Sequence, residues 1–322
     1  MRLCRVRHHG EAAAAFYADD VVVPLPAAAA AHRDAGEGSL ELPLKDDLIT
    51  LLPPDGPYHQ AAQQLSAWVE QHRDQVPDDA KLRTDQCELL VPVPRPEKIF
   101  LLAGNYAEHI EEGGDRAAER AETFPYVFMK PATTLTAPGQ PITLPAVSPN
   151  AIDWELELAV VMGRRAKCVS EAEALDYVAG YTVINDISNR KFRPNPDRKQ
   201  RPRDAFFDWL HGKWFDSFCP CGPCITSADA IANPQSLAMQ LALNGEVRQD
   251  ASTAQQIFPV VAVIEFISQI VTLEPGDMIS TGTPSGVGHT TGTYLKAGDE
   301  LCGTIESIGA LRTTVVDDSS AP

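Results

Sequence analysis

The chain has 322 residues, with 27 Lys+Arg against 44 Asp+Glu and a formal net charge of −17. That acidic balance excludes a nucleic-acid or anionic-membrane surface, because phosphate binding needs a basic footprint. A hydrophobic share of 44% with 22% charged residues is ordinary globular usage, so a packed core is expected.

The opening segment Met1-Arg-Leu-Cys-Arg-Val-Arg-His-His-Gly10 is basic but lacks the apolar stretch of a secretory signal. No run approaches the roughly 18 apolar residues of a transmembrane helix. Seven cysteines in a long chain of this kind are expected to be reduced thiols of a cytoplasmic protein.

Residues 1–94 read as a small N-terminal domain closed by a Pro-rich linker. They hold two alanine runs, a strand at Val21–Val23, the turn Pro53-Pro-Asp-Gly56 and a helix from about Tyr58 to His72. Three prolines at alternate positions in Val91-Pro-Val-Pro-Arg-Pro96 favour an extended segment, which places the boundary. Residues 95–322 are strand-rich. Strands are expected at Lys98–Leu102, Ile152–Met162, Tyr177–Ile187 and Met278–Thr281, with a closing pair at Leu301–Ile305 and Leu311–Val316. Met239–Leu243, Asn244-Gly245 and Glu246–Arg248 form a hairpin signal, since Asn-Gly supplies the positive φ angles of a tight type I′ turn. Pro259–Ile270 is too apolar for a surface helix and is expected to be buried. Strands outnumber helices without alternating with them, so the fold class is α+β.

The most informative segment is Ile152-Asp-Trp-Glu-Leu-Glu-Leu-Ala-Val-Val161. Strand alternation puts Glu155 and Glu157 on one face. Two close, partly buried negative charges demand that one protonate or that a cation sit between them. Asp186 ends the apolar run Tyr181–Asp186 and offers a third carboxylate. Three oxygen ligands without Cys or His suit Mg²⁺, Mn²⁺ or Ca²⁺ and suit zinc poorly. The plain alternative is the solvated face of an edge strand.

His109 and Glu112 are three apart, so on a helix the carboxylate can orient the imidazole as a general base; a solvated helix start is the alternative. Gly113-Gly114 behind them suits a hinge. Lys213 stands among aromatics, where a depressed pKa or contact with a substrate anion competes with simple snorkelling. Cys219, Cys221 and Cys224 lack the fourth ligand of a structural zinc site and read as small core residues. The glycine-rich Gly282–Gly288 fits neither phosphate motif, although its amides can bind a carboxylate. The seven basic residues of Arg190–Arg203 read as a solvated insertion.

Taken in order, these motifs resemble the fumarylacetoacetate hydrolase family over roughly residues 95–317. The resemblance is carried by Asn105-Tyr106 with His109, Phe128-Met-Lys-Pro131, Asp153–Val161, Gly180–Asp186, Lys213 with Phe215-Asp216, Gly276–Gly288 and Gly298-Asp299. It implies a catalytic domain of mixed, rolled β-sheet, a smaller β-rich N-terminal domain and a homodimer. It implies Mg²⁺ or Mn²⁺ on Glu155, Glu157 and Asp186, a water-activating His109–Glu112 pair on a mobile lid, and Lys213 beside the anion formed during reaction. Tyr106, Arg190 and Thr281 are the implied substrate contacts. The expected activity is hydrolysis of a C–C bond in a 2,4-dioxo acid of the acylpyruvate or fumarylpyruvate type. The alternative is decarboxylation or isomerisation of a 2-oxo diacid, of oxaloacetate or hydroxymuconate type, at the same site. Ala103-Gly104, Arg193 and the long stretch from Arg193 to Trp209 depart from common family patterns and bear on specificity.

Overall fold

The strand Leu156–Met162 is the centre of the molecule: it pairs antiparallel with Val178–Asn185 on one side and with Met278–Ser280 on the other. All residues of Leu156–Met162 and Val178–Asn185 are buried, which accounts for their near-continuous apolar runs. The computed structural model describes residues 1–43 and 46–318. Residues 319–322, the end of the expected second unit, and residues 44 and 45 lie outside the described residues.

From the centre a 12-stranded sheet extends both ways. Beyond Val178–Asn185 come Cys219–Ser227, Arg2–His8, Glu11–Tyr17 and Val21–Pro24. Beyond Met278–Ser280 come the parallel neighbour Ile99–Ala103 and then Tyr126–Met129. A second, five-stranded sheet runs in the order Glu246–Ser252, Ala238–Leu243, Glu300–Ile305, Gly309–Asp317, Ile142–Leu144. The fold is α+β, as expected.

The two faces of the large sheet feed different cores. Leu158, Val160 and Met162 pack with Leu241, Leu301 and Leu311 of the second sheet and with Val263, Ile264 and Ile267 of the helix Val260–Ile270. That helix is buried along one face only; Ile270 is 64% exposed. Ala159 and Val161 point the other way, into a core with Leu25 and Leu65 from the helices Leu25–Asp34 and His59–Gln71. At the hairpin, Asn244 has φ 52° and Gly245 φ 81°, the conformation an Asn-Gly turn provides.

The change of composition at residue 94 does not interrupt the sheet. Arg2 and Leu3 pair with Thr226 and Ile225, so the N-terminal strands continue the catalytic sheet and share its core. The expected strand Ile152–Met162 is broken at Trp154 and Glu155 into Ile152–Asp153 and Leu156–Met162, because Ile152–Asp153 turns away to pair with Ser188–Asn189. Among the described residues, no helix is long and apolar enough to cross a membrane.

Candidate active site

Antiparallel pairing of Leu156 with Asn185 sets the start of one central strand beside the end of the other. Glu155 immediately precedes the first and Asp186 immediately follows the second. The Asp186 N–H donates to the Glu155 carbonyl at 2.8 Å, and the Glu155 N–H donates to Asn185 Oδ1 at 2.9 Å. Glu157 lies two residues on, on the face of Glu155. One oxygen from each of Glu155, Glu157 and Asp186 lies within 4.8 Å of the others, and all three residues are buried. The edge-strand alternative is thereby removed, since this strand has a neighbour on each side.

Burial brings these carboxylates cationic partners. Lys213 Nζ donates to Glu155 Oε2 at 2.8 Å, Asp186 Oδ2 at 2.6 Å and Ser188 Oγ at 2.7 Å. Lys130 Nζ donates to Asp186 Oδ1 at 2.6 Å and to the carbonyls of Ile187 and Phe218. Arg190 Nε donates to Asp153 Oδ2 at 2.8 Å, while its Nη2 stands 2.6 Å from Glu155 Oε1 in an ion pair.

Among the described residues, Glu157 has no such partner. Its Oε2 accepts from Ser280 Oγ at 2.6 Å and from the Gly282 N–H at 2.9 Å, both neutral donors. Burial opposes ionisation of Glu155, but Lys213 and Arg190 outweigh it and hold that carboxyl well below its ordinary value. Burial together with the charges of Asp186 and Glu155 drives Glu157 well above its own. Four buried carboxylates, counting Asp153, thus face three cations. The oxygen left without a cation belongs to a hard, all-carboxylate donor set, so the trio fits a divalent cation.

The His109–Glu112 pair forms as the spacing predicts. Both lie on the helix Ala107–Glu112, with His109 Nδ1 2.8 Å from Glu112 Oε1. Glu112 Oε2 accepts from the Gly286 N–H at 2.9 Å. Burial raises the Glu112 carboxyl, but the bonds from His109 and Gly286 win and hold it below its ordinary value. His109, Glu155, Glu157, Arg190 and Lys213 wall one cleft of about 290 Å³. Asp186 and Glu112 stand directly behind Lys213 and His109.

Other predicted contacts are placed differently. Arg190 reaches the cleft but is engaged by Asp153 and Glu155, so it is not part of a solvated insertion. Thr281 is fully buried: Oγ1 donates to the Leu158 carbonyl at 2.9 Å and accepts from Gln256 Nε2 at 2.7 Å. Tyr106 is buried with its hydroxyl between Met239 Sδ and Gln256 Nε2. Neither Thr281 nor Tyr106 lines the cleft, whereas Thr283 and His289 do. Lys213 lies over the rings of Phe128 and Trp209, at 5.2 and 5.5 Å. Its pKa is raised, not depressed, because Asp186 and Glu155 overcome the burial that lowers it.

Two further charged residues belong to the site, Lys130 and Asp153. The available signal for Lys130 is a charged residue directly after the apolar strand Tyr126–Met129, and for Asp153 a charged residue ending the short strand Ile152–Asp153. Cys219, Cys221 and Cys224 are buried, and burial pushes the thiols of Cys219 and Cys224 up to about 12. They belong to no metal-ligand cluster among the described residues. Outside the cleft, Arg198 and Arg201 pair with Asp204, and Arg198 also with Asp208, so these two basic residues of the run are neutralised locally.

Comparison with known proteins agrees with this geometry. The domain family described as fumarylacetoacetate (FAA) hydrolase, C-terminal, matches residues 98–316. An oxaloacetate tautomerase of Xenopus laevis, fahd2, mitochondrial, is 38% identical over 237 residues, 73% of this chain and 70% of that protein. Among solved structures, maleylpyruvate hydrolase from Sphingobium sp. SYK-6, in complex with manganese(II) and pyruvate, has a TM-score of 0.70 at 28% identity, covering 98% of this chain and 99% of that one. A 2-hydroxyhepta-2,4-diene-1,7-dioate isomerase from Mycobacterium marinum gives 0.65 at 28% identity, covering 99% and 100%. With an acidic trio suited to a divalent metal and a family match across the whole catalytic region, the chain belongs to the fumarylacetoacetate hydrolase family of enzymes.

Proposed function

We propose that the protein is a Mg²⁺- or Mn²⁺-dependent hydrolase of 2,4-dioxo acids of the acylpyruvate type, working through the enolate of pyruvate. The observation that carries this reading is the convergence of the His109–Glu112 pair and the carboxylates Glu155 and Glu157 on one cleft. A divalent cation held by Glu155, Glu157 and Asp186 would supply Lewis acidity to the oxygens of a chelating 2-oxo acid.

The protein's own groups account for the rest. Glu112 accepts the Nδ1 proton of His109, which leaves Nε2 free as the base. Nε2 takes a proton from water, and the hydroxide adds to the acyl carbonyl. The bond between that carbon and C3 breaks, its electron pair remaining on pyruvate as the enolate. The proton held at Nε2 then passes to C3, giving pyruvate and the free acid. Lys213, fixed on the cleft wall, sets a positive potential beside the developing anion.

A second reading is keto–enol tautomerisation of a 2-oxo diacid, favoured by the 38% identity to an oxaloacetate tautomerase. His109 would then take the proton from C3 of the keto form and deliver it to the C2 oxygen of the enolate, giving the enol, or run the same transfer in reverse. Product analysis of the Mn²⁺-loaded protein on acetylpyruvate, fumarylpyruvate and oxaloacetate separates the two. Two-fragment cleavage is expected for hydrolysis. Faster enol–keto conversion without cleavage would transfer the assignment to the tautomerase, and CO₂ release to a decarboxylase. Inertness toward all three would overturn the enolate chemistry altogether.

A further inference from the structure

The glycine-rich segment that matches no phosphate motif has carboxylate partners inside the protein. The Gly282 N–H donates to Glu157, the Gly286 N–H to Glu112, and the Gly288 N–H to Asp153 Oδ1 at 2.7 Å, with the His289 N–H on Asp153 Oδ2 at 3.0 Å. One loop therefore touches the metal half of the site, the base half, and a third carboxylate that belongs to neither.

That third carboxylate, Asp153, is fully buried and also accepts from its neighbour's backbone, the Trp154 N–H. On its other side Arg190 bridges it to Glu155. Trp154 adds a second hold on the loop, its indole N–H donating to the Gly286 carbonyl at 3.1 Å. The approach is close enough to require glycine. A Cβ at Gly286, where φ is +96°, would lie 2.0 Å from the Arg248 carbonyl oxygen, and one at Gly288 would lie 2.8 Å from Asp153 Oδ1.

We propose that Asp153 is a positioning residue that couples the two halves of the site. Through Arg190 it orients Glu155, and through the amides of residues 288 and 289 it fixes the loop whose Gly286 amide orients Glu112 and hence His109. The inference rests on the reading of Glu155 as a metal ligand and His109 as the base. Partners of this kind typically change metal affinity or activity 10–100-fold when altered.

The test substitutes Asp153→Asn, which keeps the shape and removes an acceptor, and reads Mn²⁺ affinity by calorimetry and the ring-nitrogen NMR signals of His109. The expected result is about 10-fold weaker Mn²⁺ binding together with shifted His109 signals. Trp154→Phe, which removes only the indole N–H, should shift the His109 signals while leaving Mn²⁺ affinity unchanged. Asp153→Glu, which keeps the charge and displaces the acceptor oxygens, is read in the same way if Asp153→Asn does not fold. Turnover at saturating Mn²⁺ should fall in Asp153→Asn, and adding Asp153→Asn to Glu112→Gln should lower it little below Glu112→Gln alone. Wild-type values for both Mn²⁺ affinity and His109 signals in Asp153→Asn would overturn the coupling. Unmoved His109 signals in Trp154→Phe, or losses that multiply in the double variant, would overturn it too. Failure of the wild-type protein to bind Mn²⁺ would instead overturn the reading of the metal half on which the coupling depends.

Discussion

Lys130 and Asp186 form a fully buried ion pair, Nζ to Oδ1 at 2.6 Å, which fixes one oxygen of a carboxylate in the candidate metal-binding trio. Two main-chain carbonyls complete the ammonium's acceptors, so the lysine has no freedom to leave. Removing one partner of such a pair leaves a buried, uncompensated charge, at a cost of about 3–5 kcal/mol. Lys130→Met is therefore expected to lower the melting temperature of the metal-free protein. Mn²⁺ should raise it by more than it raises the wild type, because the cation then replaces the missing charge. Thermal unfolding with and without Mn²⁺ checks both; an unchanged melting temperature would show the pair to be dispensable.

Glu157 makes stability depend on pH in a specified direction. Its folded-state pKa is raised well above the ordinary 4.5 by burial and by Asp186 and Glu155. A raised pKa contributes stability that is complete below about 4.5 and is lost as pH rises through the folded value. The metal-free protein should thus lose stability on that upward limb, and Glu157→Gln should abolish the loss. Because a cation needs the ionised carboxylate, metal binding at a pH below the folded value should release a proton. Calorimetry in two buffers of different ionisation enthalpy measures that proton; buffer-independent heats would contradict the argument.

The base half should be separable from the metal half. His109→Ala and Glu112→Gln are each expected to reduce turnover about 10²–10⁴-fold, since a positioned proton acceptor contributes on that order. Neither side chain belongs to the carboxylate trio, so Mn²⁺ affinity should remain close to wild type. Steady-state kinetics paired with calorimetry decides this. Equal losses in affinity and turnover would mean that the helix Ala107–Glu112 supports the metal half as well.

Residues 1–94 should not be removable. The strand Arg2–His8 covers the edge of Cys219–Ser227, and Leu25, Leu48 and Leu65 share a core with Ile99, Ala159 and Ile225. Truncation to residues 95–322 would bare both an unpaired strand and that core face. Aggregated or unfolded material is expected, read by gel filtration and circular dichroism. A folded, Mn²⁺-binding fragment would contradict this expectation.

Much of the site was legible because burial and charge conflict in the sequence itself. Glu155 and Glu157 alternate with leucines inside an apolar run, and Asp186 ends another; if buried, such groups need compensating charges, and only the three-dimensional pairing removes the solvated edge-strand alternative. Helix spacing allowed the His109–Glu112 pair but equally a solvated helix start, and the family resemblance favoured the pair. Lys130 and Asp153 fall inside the segments that carry the resemblance, but no spacing gives them a role, because their partners are distant in sequence. Thr281 and Thr283 lie two apart, and spacing could not say that the hydroxyl of Thr281 turns inward to the Leu158 carbonyl while Thr283 faces the cleft. The continuity of the sheet across residue 94 was hidden for a related reason: the pairing of Leu3 with Ile225 leaves no local trace.

The central claim is that Glu155, Glu157 and Asp186 bind one divalent cation with room for substrate. Calorimetric titration of Mn²⁺ into chelator-treated protein tests it most directly, with the wild type compared against Glu157→Ala. The account predicts one site per chain in the wild type and none in the variant. A flat wild-type trace, or equal binding by Glu157→Ala, would contradict it.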